Sequence, residues 1–283
     1  MDKNLLLLDV MNLAYRAYFA LSKSAFKTDA GRPIFMALGF VQYIDQLVTR
    51  FKPDYVIAAS DSKGESFRHK LWPHYKSQRT ASPDDLYQQL PDVFECLKAL
   101  GIPNLHIEAT EADDILASVV AQTPESFKIV IVSSDKDLAQ LIRPNVYQAK
   151  PDGGEFKIYG DAEIFTRYGI YAHQMVDYLS ITGDKSDNIP GVAGLGDKGA
   201  AKLLTEWGSL EKIYLNIESI TGSTKLKLET GRDMALLSKR LITLDRALPI
   251  DLSHITIFDP NSFQQPQAQE FFRAMELRSY IKR

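Results

Sequence analysis

The sequence predicts an α/β fold with a mostly parallel central sheet flanked by helices, followed by a helical region that contains a helix–hairpin–helix motif. Three observations support this prediction. Short apolar runs alternate with longer amphipathic segments in the first half of the 283 residues, the second half repeats its apolar residues at helical spacing, and a glycine-rich turn separates two of its predicted helices. Alternating strands and helices are typical of a parallel sheet that is covered on both faces.

The predicted strands are apolar runs of the length expected for buried strands. They comprise Leu5–Leu8, Tyr55–Ala59, Leu105–Ile107, Ile129–Val132 and Val146–Gln148. The turn Pro151–Gly154 follows the last of these runs and predicts the tip of a hairpin.

The predicted helices repeat apolar residues every three or four positions. They comprise Leu13–Leu21, Phe35–Phe51, Asp84–Leu100, Ala112–Ala121, Leu138–Ile142, His173–Thr182, Lys198–Trp207, Leu210–Ile217 and Lys225–Leu244. Residues 61–81 mix basic and aromatic residues with little periodicity, and we interpret them as a partly ordered excursion above the sheet edge. We divide the chain into an α/β core, residues 1–160, and a helical region, residues 161–283.

The composition excludes several classes of protein. A single cysteine, Cys96, rules out an internal disulfide and fits a reducing, cytoplasmic environment. Cys96 lies in an amphipathic stretch, where we interpret it as a small core residue, with a reactive thiol as the alternative. No apolar run approaches the roughly 20 residues of a membrane span. The N-terminal run LLLL is too short for a signal peptide.

The net charge of −3 conceals two basic segments. Residues 62–80 contain five cations against one glutamate, and residues 221–246 contain six cations against three acids. Bases that line the approach to an acidic site are typical of proteins that bind nucleic acids, whatever the overall pI.

Nine carboxylates fall in five clusters, and four of these clusters lie just after an apolar run. The clusters are Asp9; Asp61; Glu111 with Asp113 and Asp114; Asp135 with Asp137; and Asp184 with Asp187. An apolar run that ends in an acid predicts a buried strand that delivers a carboxylate to the carboxyl edge of the sheet, where sites form in open α/β folds. Acids gathered there repel one another unless divalent cations neutralise them, and hard oxygen ligands favour Mg²⁺ or Mn²⁺. The pattern therefore predicts a two-metal phosphodiester hydrolase.

Each acid cluster also has a structural explanation, because acids commonly cap helices. The sequence TEAD at residues 110–113 resembles a capping box, and SDKD at residues 134–137 could cap a short helix. Asp9 and Asp61 could each cap the helix that follows their strand. Caps do not need paired acids, whereas a two-ion site does, so the clusters together favour metal binding.

The sequence GVAGLGDKGAAKLL at residues 191–204 is the second informative motif. Its glycines permit a tight turn between two helices, and the backbone amides of such a turn and of the next helix start can bind a phosphate without reading bases. The residues that we expect to bind the phosphates of a nucleic acid are Gly191, Val192, Gly194, Leu195, Gly196, Lys198, Gly199 and Lys202. The alternative is an ordinary helical hairpin whose lysines are solvated.

With these motifs in this order, the sequence resembles the 5′-nuclease superfamily. The superfamily comprises the N-terminal 5′→3′ exonuclease domain of bacterial DNA polymerase I and the stand-alone flap endonucleases of phages and bacteria. The matching stretches span nearly the whole chain and include EATEADDILASVV, IVSSDKDLAQLI and GDKSDNIPGVAGLGDKGAAKLL. The resemblance implies a PIN-like sheet, a helical arch over residues 62–85 and a duplex-binding helix–hairpin–helix motif of the H3TH type. No polymerase sequence follows Arg283, so we expect a stand-alone nuclease.

The resemblance also implies roles for individual residues. The implied ligands of the first ion are Asp9, Asp61, Glu111, Asp113 and Asp114, those of the second are Asp184 and Asp187, and Asp135 and Asp137 lie near both. The implied catalytic residues of the arch are Arg68, Tyr75, Lys76 and Arg79. Lys76 and Arg79 would hold the scissile phosphate, and Tyr75 would stack near an unpaired 5′ base. The hairpin would bind duplex phosphates, with a K⁺ ion held by its backbone carbonyls.

Three positions depart from the pattern of the family. Val10 stands where many members have glycine, Ser60 where many have phenylalanine, and Gly199 where the hairpin often has threonine or serine. The last departure bears on the K⁺ and phosphate geometry of the hairpin. Asp184 and Asp187, which some short bacterial paralogues have lost, are both present.

We therefore expect a structure-specific 5′ nuclease with flap-endonuclease and 5′→3′ exonuclease activity, which uses two Mg²⁺ or Mn²⁺ ions and acts in DNA replication and repair. Its expected partner is DNA with a 5′ flap, nick or junction, with RNA-containing 5′ ends as a further substrate class, and we expect a monomer. One alternative is a PIN- or RNase-H-like nuclease that cuts RNA, which the hairpin and the arch segment disfavour. The other is a non-catalytic DNA-junction binder, which the nine acids disfavour.

Overall fold

The structure of the protein is a computed structural model that describes residues 3–24, 26–62 and 64–282. Lys63, one of the cations of the first basic segment, and Arg283 lie outside the described residues. The sheet contains β1 (Lys3–Asp9), β2 (Tyr55–Ala59), β3 (Asn104–Leu105), β4 (Phe127–Val132), β5 (Val146–Asp152) and β6 (Glu155–Tyr159). The strand order is β3-β2-β1-β4-β5-β6, and neighbours run parallel except in the β5–β6 hairpin. The predicted mostly parallel α/β sheet is confirmed.

Helices flank this sheet and form the region that follows it. They are α1 (Val10–Leu21), α2 (Phe35–Phe51), α3 (Phe67–Leu71), α4 (Asp84–Ala99), α5 (Ala112–Gln122), α6 (Asp161–Tyr168), α7 (Met175–Thr182), α8 (Asp197–Trp207), α9 (Leu210–Leu215), α10 (Gly222–Thr230), α11 (Arg232–Ile242) and α12 (Pro266–Ala274). Short 3₁₀ turns lie at Asp137–Leu141, Ala172–Gln174, Ile217–Ser219 and Ser262–Gln264. Helices α7 and α8 with their loop form the predicted helix–hairpin–helix.

Strand β1 lies inside the sheet and buries apolar side chains on both faces. Leu6 and Leu8 pack into a core with residues of α1, α2 and α4, whereas Leu5 and Leu7 pack on the opposite face with residues of α5. Successive residues of a strand point to opposite faces, so four consecutive leucines are what a strand covered on both sides requires. The parallel register makes β1, β2 and β4 end at the same edge of the sheet.

The loop between α7 and α8 folds back on itself through a close backbone approach. Asp184 and Ile189 exchange backbone hydrogen bonds of 2.9 and 2.7 Å, which closes an acidic turn, residues 184–189. A Cβ atom on Gly191 would lie 2.3 Å from the backbone nitrogen of Gly183, and the φ of Gly191 is 63°. Only glycine fits such an approach, so these two glycines determine where the acidic turn lies.

After α11 the chain returns to the α/β core. Residues 244–258, which we call the strap, run along α5, where Ser118 Oγ donates to the carbonyl of Asp245 and Gln122 Nε2 donates to that of Leu248. Helix α12 then packs beside α4 and buries Phe272 in the core. We propose that the strap and α12 belong to the α/β core, so the helical region ends before the predicted residue 283.

Several predicted elements differ from the structure. The predicted helix Lys225–Leu244 is divided into α10 and α11 at Gly231, where a Cβ atom would lie 2.8 Å from Val192 Cγ1. The predicted helix Leu138–Ile142 is a 3₁₀ turn. Strand β6 and helices α3, α6 and α12 are absent from the prediction, because each is short and its periodicity covers too few residues to be recognised.

We expect Gly191→Ala to lower the free energy of unfolding by more than about 2 kcal/mol, because its backbone is left-handed and the Cβ atom would overlap with Gly183. Gly196→Ala in the same loop is the matched control, since a Cβ atom there meets nothing within 4 Å. The control should change the free energy of unfolding by less than about 0.5 kcal/mol. Urea unfolding measures the free energy of unfolding of both variants. If Gly191→Ala were as stable as Gly196→Ala, the claim that only glycine fits at position 191 would be wrong.

Candidate active site

Three carboxylates from distant parts of the chain meet at the acidic turn. Asp137, Asp184 and Asp187 are buried, and each has an oxygen within 4.8 Å of the other two; we call them the second acid group. Asp137 Oδ1 is buried and accepts no hydrogen bond from the described residues. Burial and the charges of Asp135, Asp184 and Asp187 raise the pKa of Asp137 well above its ordinary value. A buried, unsatisfied carboxylate oxygen beside two further carboxylates fits a divalent cation.

The position of Asp184 is fixed by donors on its own turn and by a lysine. Its Oδ1 accepts hydrogen bonds from Ser186 Oγ at 2.6 Å and from the backbone nitrogen of Ser186 at 2.9 Å. Lys136 Nζ lies 3.0 Å from the same oxygen. Burial acts to raise the pKa of Asp184, but the hydrogen bonds from Ser186 and the charge of Lys136 lower it, so the carboxylate is ionised.

The ends of the parallel strands and the start of α5 bring together a first acid group. It consists of Asp9, Asp61, Asp113 and Asp135. Asp9 caps α1 by accepting from the backbone nitrogen of Asn12 at 3.1 Å, and it also accepts from Ser133 Oγ at 2.7 Å. Asp61 accepts from the backbone nitrogen of Ala112, the first residue of α5, at 2.8 Å. Asp9 and Asp61 therefore each cap a helix and also belong to the first acid group.

The carboxylates of the first acid group disfavour one another's charged form. Burial, with the charges of Asp61 and Asp135, raises the pKa of Asp9 to about 7. Burial and the same two neighbours, with Asp9, raise the pKa of Asp113 well above its ordinary value. The pKa of Asp135 is raised by burial and by Asp187 of the second acid group. Asp135 thus lies between the two groups.

The first acid group lines a cleft of about 920 Å³. Lys76 and Arg79 of the arch segment line the same cleft, as do aromatic side chains of α1 and α4. Among these, Phe19 is 58% exposed and Tyr87 is 51% exposed. Cations can bind phosphates and exposed aromatic rings can stack on bases, so this cleft can accept an unpaired nucleotide strand.

Asp114 does not belong to either acid group, which corrects its prediction as a metal ligand. Its two oxygens accept from Arg68 Nη1 at 2.6 Å and from Arg68 Nη2 at 2.8 Å, and one of them also accepts from the backbone nitrogen of Asp245 at 2.8 Å. Both side chains are 2% exposed. Arg68 in turn donates to the carbonyl of Leu241 at 2.7 Å. This pair therefore joins α3, α5 and the end of α11, and Arg68 is not positioned to contact a substrate phosphate.

Glu111 lines the same cleft as the first acid group, and it also holds the base of the arch. Its Oε2 accepts from Tyr75 Oη at 3.0 Å and from Arg68 Nη1 at 3.3 Å. Burial opposes ionisation, but Lys76 and Arg68 lower the pKa of Glu111. The ring of Tyr75 is 4% exposed, and its hydroxyl oxygen also lies 3.1 Å from Asp187 Oδ2, so the two carboxylates share its one hydrogen. This arrangement leaves no face of the ring open to a base, so the predicted stacking role does not fit it.

The arch segment is joined to the acidic turn by charged and backbone contacts. Lys76 Nζ lies 3.1 Å from Glu111 Oε2, and Arg79 Nη2 lies 2.6 Å from Asp187 Oδ1. The backbone nitrogen of Lys76 donates to the carbonyl of Asp187 at 2.9 Å. Asn188 Nδ2 donates to the carbonyl of His74 at 2.8 Å. Sequence reasoning missed Asn188 and Lys136, because no local pattern indicates a partner so far along the chain.

The hairpin places its predicted residues in two different environments. Val192 and Leu195 are 2% and 8% exposed, and their side chains pack in the helical core. Their backbone nitrogens donate within the protein, to the carbonyls of Ile181 and Val192, so these two residues do not offer the predicted phosphate donors. Of the other residues predicted to bind phosphate, Gly194, Gly196, Lys198 and Lys202 are exposed. Gly191 is buried and Gly199 is partly exposed.

Two family models match the chain in succession. Residues 4–169 match the N-terminal resolvase-like domain of 5′-3′ exonucleases, and residues 170–265 match their C-terminal SAM fold. The chain belongs to the 5′-3′ exonuclease family. This exonuclease is thus a hydrolase, and the predicted family and enzyme class are confirmed.

Curated relatives agree with this assignment, and solved structures share the fold. The exonuclease is 38% identical to DNA polymerase I of Caldicellulosiruptor bescii, over 99% of its own length and 33% of the polymerase. It therefore spans about a third of the length of this curated relative. Its fold is similar to that of T5 5′-exonuclease with bound zinc, with a TM-score of 0.72 and 21% identity over 97% of this chain and 99% of that one.

A second solved structure with the same fold is a pseudo-enzyme–product complex of the bacteriophage T5 flap endonuclease with DNA and metal ions. Its TM-score is 0.72 at 21% identity, over 97% of this chain and 98% of that one. Among the helices that the structure of the exonuclease describes, none has the length and apolar character to cross a membrane.

Asp113 and Asp114 are adjacent, but removing the charge of each should change the free energy of unfolding in opposite directions. Asp114→Asn should lower the free energy of unfolding by about 3 kcal/mol, because it removes the closer of the two carboxylates that neutralise the buried guanidinium of Arg68. Asp113→Asn should raise stability in the absence of divalent metal, because it removes one of four mutually repelling acids. Urea unfolding in EDTA measures both variants, and a shift of the same sign in the two would contradict these assignments.

Divalent metal should stabilise the exonuclease more at pH 8 than at pH 5. The pKa of Asp9 is about 7 in the fold against an ordinary value of 3.8, so between these values the metal-free fold binds more protons than the unfolded chain. Stability in EDTA should therefore fall as the pH rises from about 4 to 7, and Mg²⁺, which binds deprotonated acids, should restore it. Thermal unfolding with Mg²⁺ or EDTA tests this; an equal shift of Tm at both pH values would speak against it.

Proposed function

We propose that this exonuclease is a structure-specific, divalent-metal-dependent 5′ nuclease that acts as a flap endonuclease and a 5′→3′ exonuclease near single-strand/duplex junctions of DNA. Replication and repair are the processes that produce such junctions. The observation that carries the proposal is the second acid group, in which Asp137 Oδ1 accepts no hydrogen bond from the described residues. The backbone nitrogen of Asp137 donates to Asp135, which lines the cleft with Lys76 and Arg79. The phage T5 flap endonuclease of the same fold was solved with DNA and metal ions, which supports it.

The two acid groups are suited to two divalent cations, and we propose Mg²⁺ or Mn²⁺. The first acid group and the second acid group would hold one ion each, with Asp135 between them. All of the donors are carboxylate oxygens, which are hard ligands. When bound, such ions would supply Lewis acidity that lowers the pKa of an attacking water and neutralises charge on the leaving oxygen.

The arch segment supplies the cations that the phosphate requires. Lys76 is 20% exposed and Arg79 is 52% exposed, so a phosphate in the cleft can replace their carboxylate partners. Lys76 and Arg79 would then orient the scissile phosphate and stabilise the charge that develops on it. The unpaired 5′ strand would pass through or under residues 62–85, beside the exposed aromatic rings of the cleft.

The hairpin would hold the duplex by its phosphates. Lys198 and Lys202 are exposed and four residues apart on α8, so they lie on one face of the helix. Such contacts carry no base specificity, so recognition would follow DNA structure rather than sequence. DNA-containing and RNA-containing 5′ ends are therefore both candidate substrates, and the chain would act as a monomer.

Two carbonyls of the hairpin turn, where the K⁺ ion is predicted, already accept hydrogen bonds. The carbonyl of Val192 accepts from the backbone nitrogen of Leu195 at 3.0 Å, and that of Gly194 accepts from Lys227 Nζ at 3.1 Å. Lys227 also brings a positive charge to the turn, so a K⁺ ion bound by the hairpin would have to use other carbonyls as well. The K⁺ ion therefore stays a prediction.

A labelled 5′-flap duplex and a single-stranded RNA, each incubated with Mg²⁺ or EDTA, test the proposal. We expect Mg²⁺-dependent cutting of the flap near its junction. Asp184→Asn should slow cleavage by at least ~10-fold while DNA binding is retained, because it removes one ligand of the second acid group. Asp152→Asn, at the exposed tip of the β5–β6 hairpin, is the control and should cut at the normal rate.

Three outcomes would count against the proposed function. Binding of the flap without metal-dependent cutting would indicate a non-catalytic junction binder. Cutting of the RNA alone would indicate an RNA nuclease. Unchanged cleavage by Asp184→Asn would remove this residue from the site.

A further inference from the structure

Two lysines lie directly opposite each other in the β5–β6 hairpin. Lys150 of β5 is the register partner of Lys157 of β6, so both side chains are on the same face of the sheet. Like charges at directly opposed positions destabilise a strand pair. Neither lysine has an acidic partner within 4.0 Å among the described residues. The hairpin therefore carries an unfavourable pair of charges that no ion pair in the described structure relieves.

A third cation, Arg167 of α6, lies near the same ring as the two lysines, that of Tyr159. Arg167 of α6 donates through Nη1 to the hydroxyl of Tyr159 at 3.3 Å. The ring centroid of Tyr159 lies 5.4 Å from Lys150 Nζ, 5.6 Å from Lys157 Nζ and 5.9 Å from Arg167 Cζ. The ring is 8% exposed, so it is a fixed platform around which the three cations are held. We call Lys150, Lys157 and Arg167 the cation trio.

The cation trio lies between the acids and the hairpin helix. Lys150 Nζ donates to the carbonyl of Ser134, the residue before Asp135 of the first acid group, at 3.3 Å. On the other side, α6 ends at Gly169, whose Cβ position is 3.5 Å from Ala201 Cβ of α8. The trio thus occupies the surface that connects the cleft with the helix that carries Lys198 and Lys202.

The electrostatics of Lys150 are consistent with a site that needs an anion. Burial and the charges of Arg167 and Arg16 lower the pKa of Lys150 to about 8, against the opposing effect of Asp135 and Asp137. Arg16 also lines the cleft. Arg167 and Arg16 thus add positive charge around Lys150, and a bound anion would offset it.

We propose that the cation trio binds a backbone phosphodiester of the DNA between the cleft and the hairpin helix, and so positions the strand for cleavage. Phosphodiesters are the anions that a 5′-3′ exonuclease must bind. Three cations around one ring, with no acid partner among the described residues, can contact the several oxygens of a phosphate. The inference rests on the proposed function for its ligand, since it takes DNA as the substrate. The trio's residues are positioning residues, because they lie outside both acid groups.

The test is a double variant, Lys150→Gln with Arg167→Gln, measured for DNA affinity in EDTA over a series of salt concentrations. One lost phosphate contact should reduce the slope of log affinity against log salt by about 0.9 and weaken binding about tenfold at 0.1 M salt. In Mg²⁺, KM for a 5′-flap duplex should rise while kcat is unchanged. Lys128→Gln is the matched control, because Lys128 also lies over a tyrosine ring, that of Tyr147 at 5.4 Å, but at the opposite end of β4.

Stability measurements separate a binding role from a structural one. Lys157→Gln alone should raise Tm in the absence of DNA, because it removes the opposed positive charge, while it weakens DNA binding. A Tm that falls together with affinity would overturn the proposal in favour of a structural role. An unchanged salt slope in the double variant would overturn it as well, even if the wild-type protein cuts the flap. Conversely, a reduced slope in a protein that fails to cut would support the trio and count against the nuclease function alone.

Discussion

One buried ion pair fixes the elements that surround the cleft. The guanidinium of Arg68 bonds to Asp114 on the first turn of α5 and to the carbonyl of Leu241 at the end of α11. A charged group that is 2% exposed is tolerated only when its donors are satisfied, so the arch, α5 and α11 cannot shift independently. The neighbouring residues Glu111 and Asp113 therefore take their positions from an interaction that does not itself face the cleft.

Around that pair, the acids fall into two electrostatic classes. Some have protein cations beside them: the oxygens of Asp184 and Glu111 lie next to lysines, and both have a lowered pKa. Others, such as Asp9, Asp113 and Asp137, face mainly further carboxylates and have a raised pKa. The fold thus neutralises Glu111 and Asp184 with its own lysines, and it leaves the charged forms of Asp9, Asp113 and Asp137 unfavourable in the absence of divalent cations.

The sequence predicts well those features that depend on repeated burial. Helix α2 and strand β2 have the predicted bounds, and the acids after β1 and β4 reach one edge, because strands covered on both faces leave continuous apolar runs. The sequence does not predict the role of a residue when that role depends on a hydrogen-bond donor far away in the chain. Asp114 and Asp113 are equivalent in sequence, but Asp114 is bonded to Arg68 and to the backbone of Asp245, 131 residues away. The same holds for Tyr75, whose burial depends on packing against the helical region.

The strap has a consequence for the order in which the protein can fold during its synthesis. The backbone nitrogen of Phe258 donates to the carbonyl of Asp54 at 2.8 Å, and Phe272 of α12 fills the core beside α2 and α4. Contacts between segments so far apart form late, because the intervening chain must first be closed into a loop. In a chain whose synthesis has not yet reached α12, the core beside α2 and α4 therefore lacks Phe272, and the hydrogen bond from Phe258 to Asp54 cannot form.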